Sequence, residues 1–223
     1  MTDALTQPAA PASLPNTDAD EAEAARSVGG TVLLLMGVCG CGKSTIALEL
    51  QRLLGWQFQE GDDLHPPANV EKMRAGHPLT DEDRWPWLAR IAQWIDDRLA
   101  ANEPGIITCS DLKRAYRKIT IGDREGVLLV YLRADEPLIA ARLAQRKHRY
   151  MPASLLHSQF QTLEEPTPDE HPIVVPIAGS VRDTAIDLLR KIASAQARER
   201  RTDRLSPVTS ESARAQCEHH RPK

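Results

Sequence analysis

The chain lacks any apolar run approaching the ~18–20 residues that span a bilayer. With a mean hydropathy of −0.40, a transmembrane helix is excluded. It also lacks an excess of one charge: 28 Lys+Arg face 31 Asp+Glu, for a net charge of −3 and a pI near 6.2. That balance argues against a nucleic-acid binder, which relies on a strongly basic face. Cysteine is scarce, with four in 223 residues, two of them in the run Cys39-Gly40-Cys41. Such spacing does not make a disulfide framework, and nothing at the start resembles a signal peptide. A reducing cytoplasm is the expected compartment, with neither nucleic acid nor membrane as a partner.

Aliphatic residues are missing at both ends. Residues 1–28 hold eight alanines, three prolines and five acids; residues 196–223 hold seven Lys+Arg and four Asp+Glu. Neither stretch can bury enough apolar surface to offset its ordering entropy, so both are expected to be solvated tails, acidic in front and basic behind. Residues 29–195 between them are ample for one hydrophobic core.

Inside that span, short apolar runs alternate with amphipathic ones. Thr31–Met36, Trp56–Glu60, Gly105–Cys109, Val127–Leu132 and Pro172–Ile177 predict strands. Lys43–Leu54, stopped by Gly55, predicts a helix, as does the run to Leu99 that Thr80 and Asp83 open as a capping box. Asp135 is placed to cap a helix towards Arg146, and Ser180 with Asp183 to open the last one. Alternating strands and helices imply parallel pairing through right-handed crossovers, with helices on both sheet faces. The expected fold is three-layer α/β.

Gly37-Val38-Cys39-Gly40-Cys41-Gly42-Lys43-Ser44 fits G-x-x-x-x-G-K-[ST], with a buried strand before it and an amphipathic helix after it. Gly37, Gly40 and Gly42 let the backbone curl so that successive N–H groups face phosphate oxygens. The helix N-terminus adds positive charge, Lys43 reaches the β- and γ-phosphates, and the Ser44 hydroxyl is a Mg²⁺ ligand. Val38, Cys39, Cys41 and Thr45 complete the expected ATP-binding run. The two cysteines read as small side chains in a tight loop, or one of them as a reactive thiol, since amide-rich surroundings lower a thiol pKa.

A P-loop alone does not choose between switch, motor and transferase. The chain has no Asn-Lys-x-Asp guanine reader, and no strand ends in the two acids usual for a motor. Asp62, by contrast, emerges beyond the second strand, where ligand groups gather in a parallel sheet. A carboxylate there can orient an acceptor hydroxyl and take its proton.

The run from Gly61 to Leu88 (GDDLHPPANVEKMRAGHPLTDEDRWPWL), with GVCGCGKS before it and CSDLKRAYRK (Cys109–Lys118) after it, resembles the gluconokinase family. Ser158–Pro166 (SQFQTLEEP) is similar to that family's lid, and the likeness runs from about Thr31 to Lys191. The resemblance implies ATP-dependent phosphorylation of D-gluconate at its 6-hydroxyl, feeding the pentose phosphate or Entner–Doudoroff routes. It implies a fold like that of shikimate and nucleoside monophosphate kinases, five parallel strands with a mobile lid at about 142–170, in a homodimer. By position, Asp62 is the implied base, and His65, Arg74, Lys113, Arg114 and Arg117 the implied contacts to gluconate and phosphate. Arg142 and Arg146 are expected to reach the transferring phosphoryl from the lid. A guanidinium fork suits an acceptor carboxylate. Arg74 and Arg84 also read as solvated helix charges, His65 as a turn former, Lys113 and Arg114 as surface residues, and Trp85, Trp87 and Trp94 as packing aromatics.

Departures from the family pattern cluster around the acceptor side and lid. They are Cys39 and Cys41 in the loop, Asp111 and Lys118 where alanine and an acid are common, Ile121 for an arginine, and His148-Arg149-Tyr150 for Gly-His-Phe. Two rival readings are a P-loop kinase for another acceptor, such as shikimate or a nucleotide, and a non-catalytic ATP-binding regulator. A Cys-Ser-Asp run after the third strand, where shikimate kinases carry glycines, disfavours the first. Retention of Asp62 disfavours the second.

Overall fold

The computed structural model describes residues 31–144, 153–177 and 179–205. Its centre is β1 (Val32–Met36), five consecutive aliphatic residues of which none has any exposed surface. β1 lies between β3 (Gly105–Thr108) and β4 (Val127–Arg133); β2 (Gln57–Gln59) and β5 (Ile173–Pro176) form the edges. All pairings are parallel, in the order β2-β3-β1-β4-β5. Leu34 stands in register with Ile107 on one side and Leu129 on the other.

Alternate side chains of β1 serve two cores. Leu33 and Leu35 pack with Ile46, Ala47 and Leu50 of α1 (Lys43–Leu54) and Leu188 and Ile192 of α7 (Val181–Leu205). Val32, Leu34 and Met36 face Trp87, Leu88, Ile91 and Ile95 of α3 (Asp81–Ala100). Each of these large side chains contributes roughly 1.5–3 kcal/mol of burial, which fixes both helix layers on the sheet. The three-layer α/β expectation holds.

The strongest sequence signals land where expected. Gly42 and Gly55 bracket α1 in left-handed conformation, and the Gly55 N–H donates to Gln51 O at 2.8 Å. The Thr80–Asp83 capping box is present, with Asp81, Glu82 and Asp83 in the first turn facing the helix dipole. Ser180 Oγ accepts from the Asp183 N–H at 3.1 Å. The last helix continues past residue 195 to Leu205.

Three short helices escaped the pattern reading: α2 (Pro67–Arg74), α4 (Arg114–Thr120) and α6 (Ala153–Thr162), besides α5 (Glu136–Ala144), which was foreseen. Single 3₁₀ turns lie at Gly61–Leu64 and Pro168–Glu170. α4 begins directly after Lys113, with no side-chain cap. The front tail, Arg146, His148-Arg149-Tyr150 and residues 206–223 lie outside the described residues.

The expected lid is held fast along its second half. Glu164 N–H donates to Leu112 O at 2.8 Å, Tyr131 Oη donates to Glu165 at 2.9 Å, and Arg114 and Arg117 bind Asp169 and Glu170. Residues 163–170 form a strap across β4 and α4.

Candidate active site

The loop from Gly37 to Gly42 joins the carboxyl end of β1 to α1. Gly37, Gly40 and Gly42 take φ of 144°, 87° and 99°, the region that L side chains avoid. A Cβ on Gly40 would also meet Ile139 and Leu143 of α5 at 3.1 Å, so α5 packs directly on the loop. No side chain caps α1, which leaves the first N–H groups at Lys43, Ser44 and Thr45 for an anion. Lys43 Nζ bridges its own loop, donating to Gly37 O at 2.9 Å and Val38 O at 3.2 Å. Burial works against its ammonium, but Cys41, Cys39, Asp62 and Cys109 around it raise its pKa above the ordinary lysine value. Lys43 is therefore a cation at neutral pH, with Asp62 within electrostatic reach.

The two loop cysteines differ. Cys39 is exposed, whereas Cys41 is buried and its thiol is pushed up by desolvation despite the neighbouring Lys43. The expectation of a thiol with lowered pKa fails at Cys41 because burial outweighs the lysine and the loop amide. The Cys39 N–H is occupied by Gln159 Oε1 of α6 at 2.6 Å.

Asp62 stands in the 3₁₀ turn that follows β2, exposed beside the loop. Gly61 before it is a contact point: a Cβ there would lie 1.9 Å from Thr108 O of β3. Its N–H donates to Thr108 Oγ1 at 3.1 Å and its carbonyl accepts from Trp87 Nε1 at 2.7 Å. The glycine lets the turn lie flat on β3, and that close approach sets Asp62 just beyond the carboxyl end of β2. His65 ends the turn, stacked on Trp87 at 4.1 Å with its Nδ1 3.4 Å from Asn69 Nδ2. Burial lowers the His65 pKa, with Asp62 opposing and Arg84 reinforcing, so the ring is neutral at pH 7.

A second group converges from α3 and the start of α4. Lys113 Nζ donates to both Asp81 oxygens at 2.9 and 2.7 Å, and Tyr116 Oη donates to Asp81 at 2.5 Å. Arg84 and Lys113 lie over the Tyr116 ring at 5.9 and 5.5 Å. Arg84 acts electrostatically on both His65 and Asp81. It joins the His65 and Asp81 groups, a place that its helix-surface pattern did not reveal.

Three of the implied substrate cations have other positions here. Arg117 is 2% exposed. It holds Glu170 through two oxygens, at 2.6 and 2.9 Å, and donates to Asp111 O and Glu164 O at 3.0 Å. Arg114 pairs with Asp169 and donates to Thr167 Oγ1 at 3.1 Å. Both guanidiniums clamp the strap, because the acids of residues 164–170 fold back onto α4. Arg74 is exposed at the end of α2 and makes no hydrogen bond among the described residues. Arg142 donates to Ile177 O at 2.6 Å and shares a cleft with Gly40, Gly42, Thr45, Ile177 and Val181. It thus lines the flank of the P-loop, apart from the group around Asp81.

Asp111 is fully buried in left-handed conformation (φ 42°). Its Oδ2 accepts from Thr120 Oγ1 at 3.0 Å, while Oδ1 has no partner among the described residues. Desolvation pushes its carboxyl up to about 6, with Cys109, Thr120, Arg117 and Lys43 opposing.

The comparisons narrow what this arrangement serves. The family described as "AAA domain" matches residues 33–153, a span that includes the P-loop, Asp62 and α5. A gluconokinase of Gluconobacter oxydans is 51% identical over 138 residues, covering 62% of this chain and 78% of that protein. The thermosensitive gluconokinase of Escherichia coli is 44% identical over 145 residues, 65% of this chain and 78% of that one. The crystal structure of a gluconokinase from Sinorhizobium meliloti superposes with a TM-score of 0.66 at 38% identity, over 76% of this chain and 97% of that one. At 51% identity over 78% of one gluconokinase, and with the sheet of this chain superposing on that of another, the chain belongs to the gluconokinase family of P-loop kinases.

Proposed function

We propose that this protein transfers the γ-phosphoryl group of ATP to the 6-hydroxyl of D-gluconate, giving 6-phospho-D-gluconate and ADP. The observation that carries this reading is the P-loop at the end of β1, with Lys43 opening α1, together with the exposed turn after β2 that carries Asp62. Asp62 accepts the hydroxyl proton as the phosphoryl arrives, and Lys43 neutralises charge on the β- and γ-phosphates. The uncapped amides at Lys43, Ser44 and Thr45 suit a polyanion, with Gly37, Val38, Cys39, Gly40, Cys41 and Gly42 shaping the cradle. The adenine ring would lie in the cleft beside Arg142.

Ser44, the first hydroxyl of α1, fits the role of protein ligand to Mg²⁺, an ion that keeps most of its shell as water and phosphate oxygens. When bound there, Mg²⁺ would supply charge neutralisation to the phosphates. Gluconate is recognised on the acceptor side: Arg84 and Lys113 offer cations to its carboxylate, and neutral His65 offers a ring nitrogen to a hydroxyl. Arg74 supplies further positive charge to the acceptor and Arg146 to the transferring phosphoryl group, while Arg114 and Arg117 act through the strap. The homodimer, the cytoplasmic location and the supply of 6-phosphogluconate to sugar-acid oxidation or cleavage belong to the same proposal.

A coupled assay tests it, following 6-phosphogluconate through its dehydrogenase with Mg-ATP and D-gluconate, and with shikimate, glucose and AMP as alternative acceptors. Selective turnover of gluconate is expected. Turnover of another acceptor alone would overturn the substrate and keep the roles of Lys43 and Asp62.

A further inference from the structure

The Cys39 N–H belongs to the phosphate cradle, yet it is already engaged. A backbone N–H only donates, so the atom facing it at 2.6 Å must be the carbonyl oxygen of the Gln159 carboxamide. This contact joins residues 120 positions apart. It is also firmly supported: α6 is seated by Leu156, 2% exposed, and by Phe160 packed against the same core cluster, which places Gln159 beside them over the loop. α6 in turn touches α5 through His157 and Glu136 at 3.1 Å, and α5 rests on Gly40.

Position along the loop decides which phosphate competes for this N–H. The amides of Lys43, Ser44 and Thr45 at the start of α1 face the phosphates nearest the helix. Cys39 lies on the opposite limb of the loop, in the turn before Gly40, so a third phosphate extending beyond those held at the start of α1 would come to its N–H. The geometry points to Gln159 as a latch that discriminates ATP from ADP: its carbonyl holds the Cys39 N–H until a γ-phosphate displaces it. A phosphate oxygen is an anionic acceptor and outcompetes a neutral amide carbonyl. ADP, one phosphate shorter, leaves the contact in place. The attachment of α6 to the loop thereby reports whether a transferable phosphoryl group is present, and it re-forms once that group has left.

The inference rests on the reading of the cradle as an ATP site. Its test uses the full chain and measures dissociation constants for ADP and for the non-hydrolysable β,γ-imido-ATP, each with Mg²⁺, by isothermal titration calorimetry. Gln159→Leu removes the competing acceptor, so imido-ATP should bind ~3–10-fold tighter while ADP stays within about twofold. Gln159→Glu strengthens the grip on the N–H and adds a charge facing the γ-phosphate, so imido-ATP should bind at least ~10-fold weaker, with a smaller change for ADP. The ratio of the two affinities thus moves in opposite directions in the two variants. A damaged helix would instead weaken both nucleotides in both variants. That pattern, an unchanged ratio, or selective loss of imido-ATP in Gln159→Leu would each overturn the latch. Wild-type protein that binds neither nucleotide would overturn the ATP reading itself, a result distinct from the others.

Discussion

The guanidinium of Arg117 meets both carboxylate oxygens of Glu170, at 2.6 and 2.9 Å, with the arginine 2% exposed. This bidentate pair ties α4 to the strap, and the same arginine holds the carbonyls of Asp111 and Glu164. Its hydrogen bond keeps the Glu170 carboxyl below the usual carboxylate range. Breaking such a pair leaves a buried charge uncompensated, which costs about 3–5 kcal/mol. Glu170→Ala should lower unfolding free energy by about that amount in urea titration. A loss under about 0.5 kcal/mol, the size of a change at an ordinary surface site, would show that the strap is not held by this pair.

Lys43→Met removes the loop's only lysine cation at nearly constant volume. Loss of a preorganised positive group facing developing phosphate charge lowers kcat/KM by at least ~10²–10³-fold. Steady-state kinetics of Mg-ATP turnover check it.

Asp62→Asn keeps the shape of the turn and removes its base. The expected result is a fall in kcat of ~10²–10⁴-fold, with nucleotide affinity little changed, since the cradle amides are untouched. Unchanged kcat would take Asp62 out of the chemistry.

Asp111 and Glu170 have opposite linkage to pH. Glu170, with a depressed pKa, stabilises the fold above its unfolded value and loses that contribution as pH falls. Asp111, raised from 3.8 to about 6, favours the fold while protonated, and stability is lost as pH rises through about 6. Asp111→Asn should therefore stabilise the protein at pH 7–8, by up to about 3 kcal/mol, with the gain vanishing towards pH 4. Asparagine also tolerates the left-handed backbone there and can keep the bond from Thr120. Thermal unfolding across pH 4–8 measures it.

Cys39 is the exposed thiol of the cradle, with Cys41 and Cys109 buried. Iodoacetamide should modify Cys39 ahead of the other two, and Mg-ATP should slow that modification. Equal rates with and without nucleotide, read by peptide mass, would separate the thiol from the site.

Legibility in the sequence followed the range of the interactions. β1, α1 and α3 were readable because their determinants are local: an all-aliphatic run, glycines at both ends of α1, and a capping box three residues long. The P-loop was readable for the same reason. α2, α4 and α6 were not, since short helices carry too few turns for a periodic stripe. Arg114 and Arg117 looked like substrate cations because their acids lie more than fifty residues away, at Asp169 and Glu170. No local pattern announces such a partner. Gly61 did carry a signal, a glycine directly before the candidate base, but its reason, contact with Thr108, exists only once β2 and β3 are side by side.

β1 leaves the ribosome long before its neighbours. Its partners Gly105–Thr108 and Val127–Tyr131 come far later in the chain. Until both have been synthesised, Val32–Met36 is an unpaired, uncharged aliphatic segment with two open edges, the kind of sequence that recruits chaperones or associates with other nascent chains. The strand that makes the finished phosphate loop rigid is thus the part most vulnerable during biosynthesis. Protein yield should respond to translation speed and chaperone supply before catalysis does.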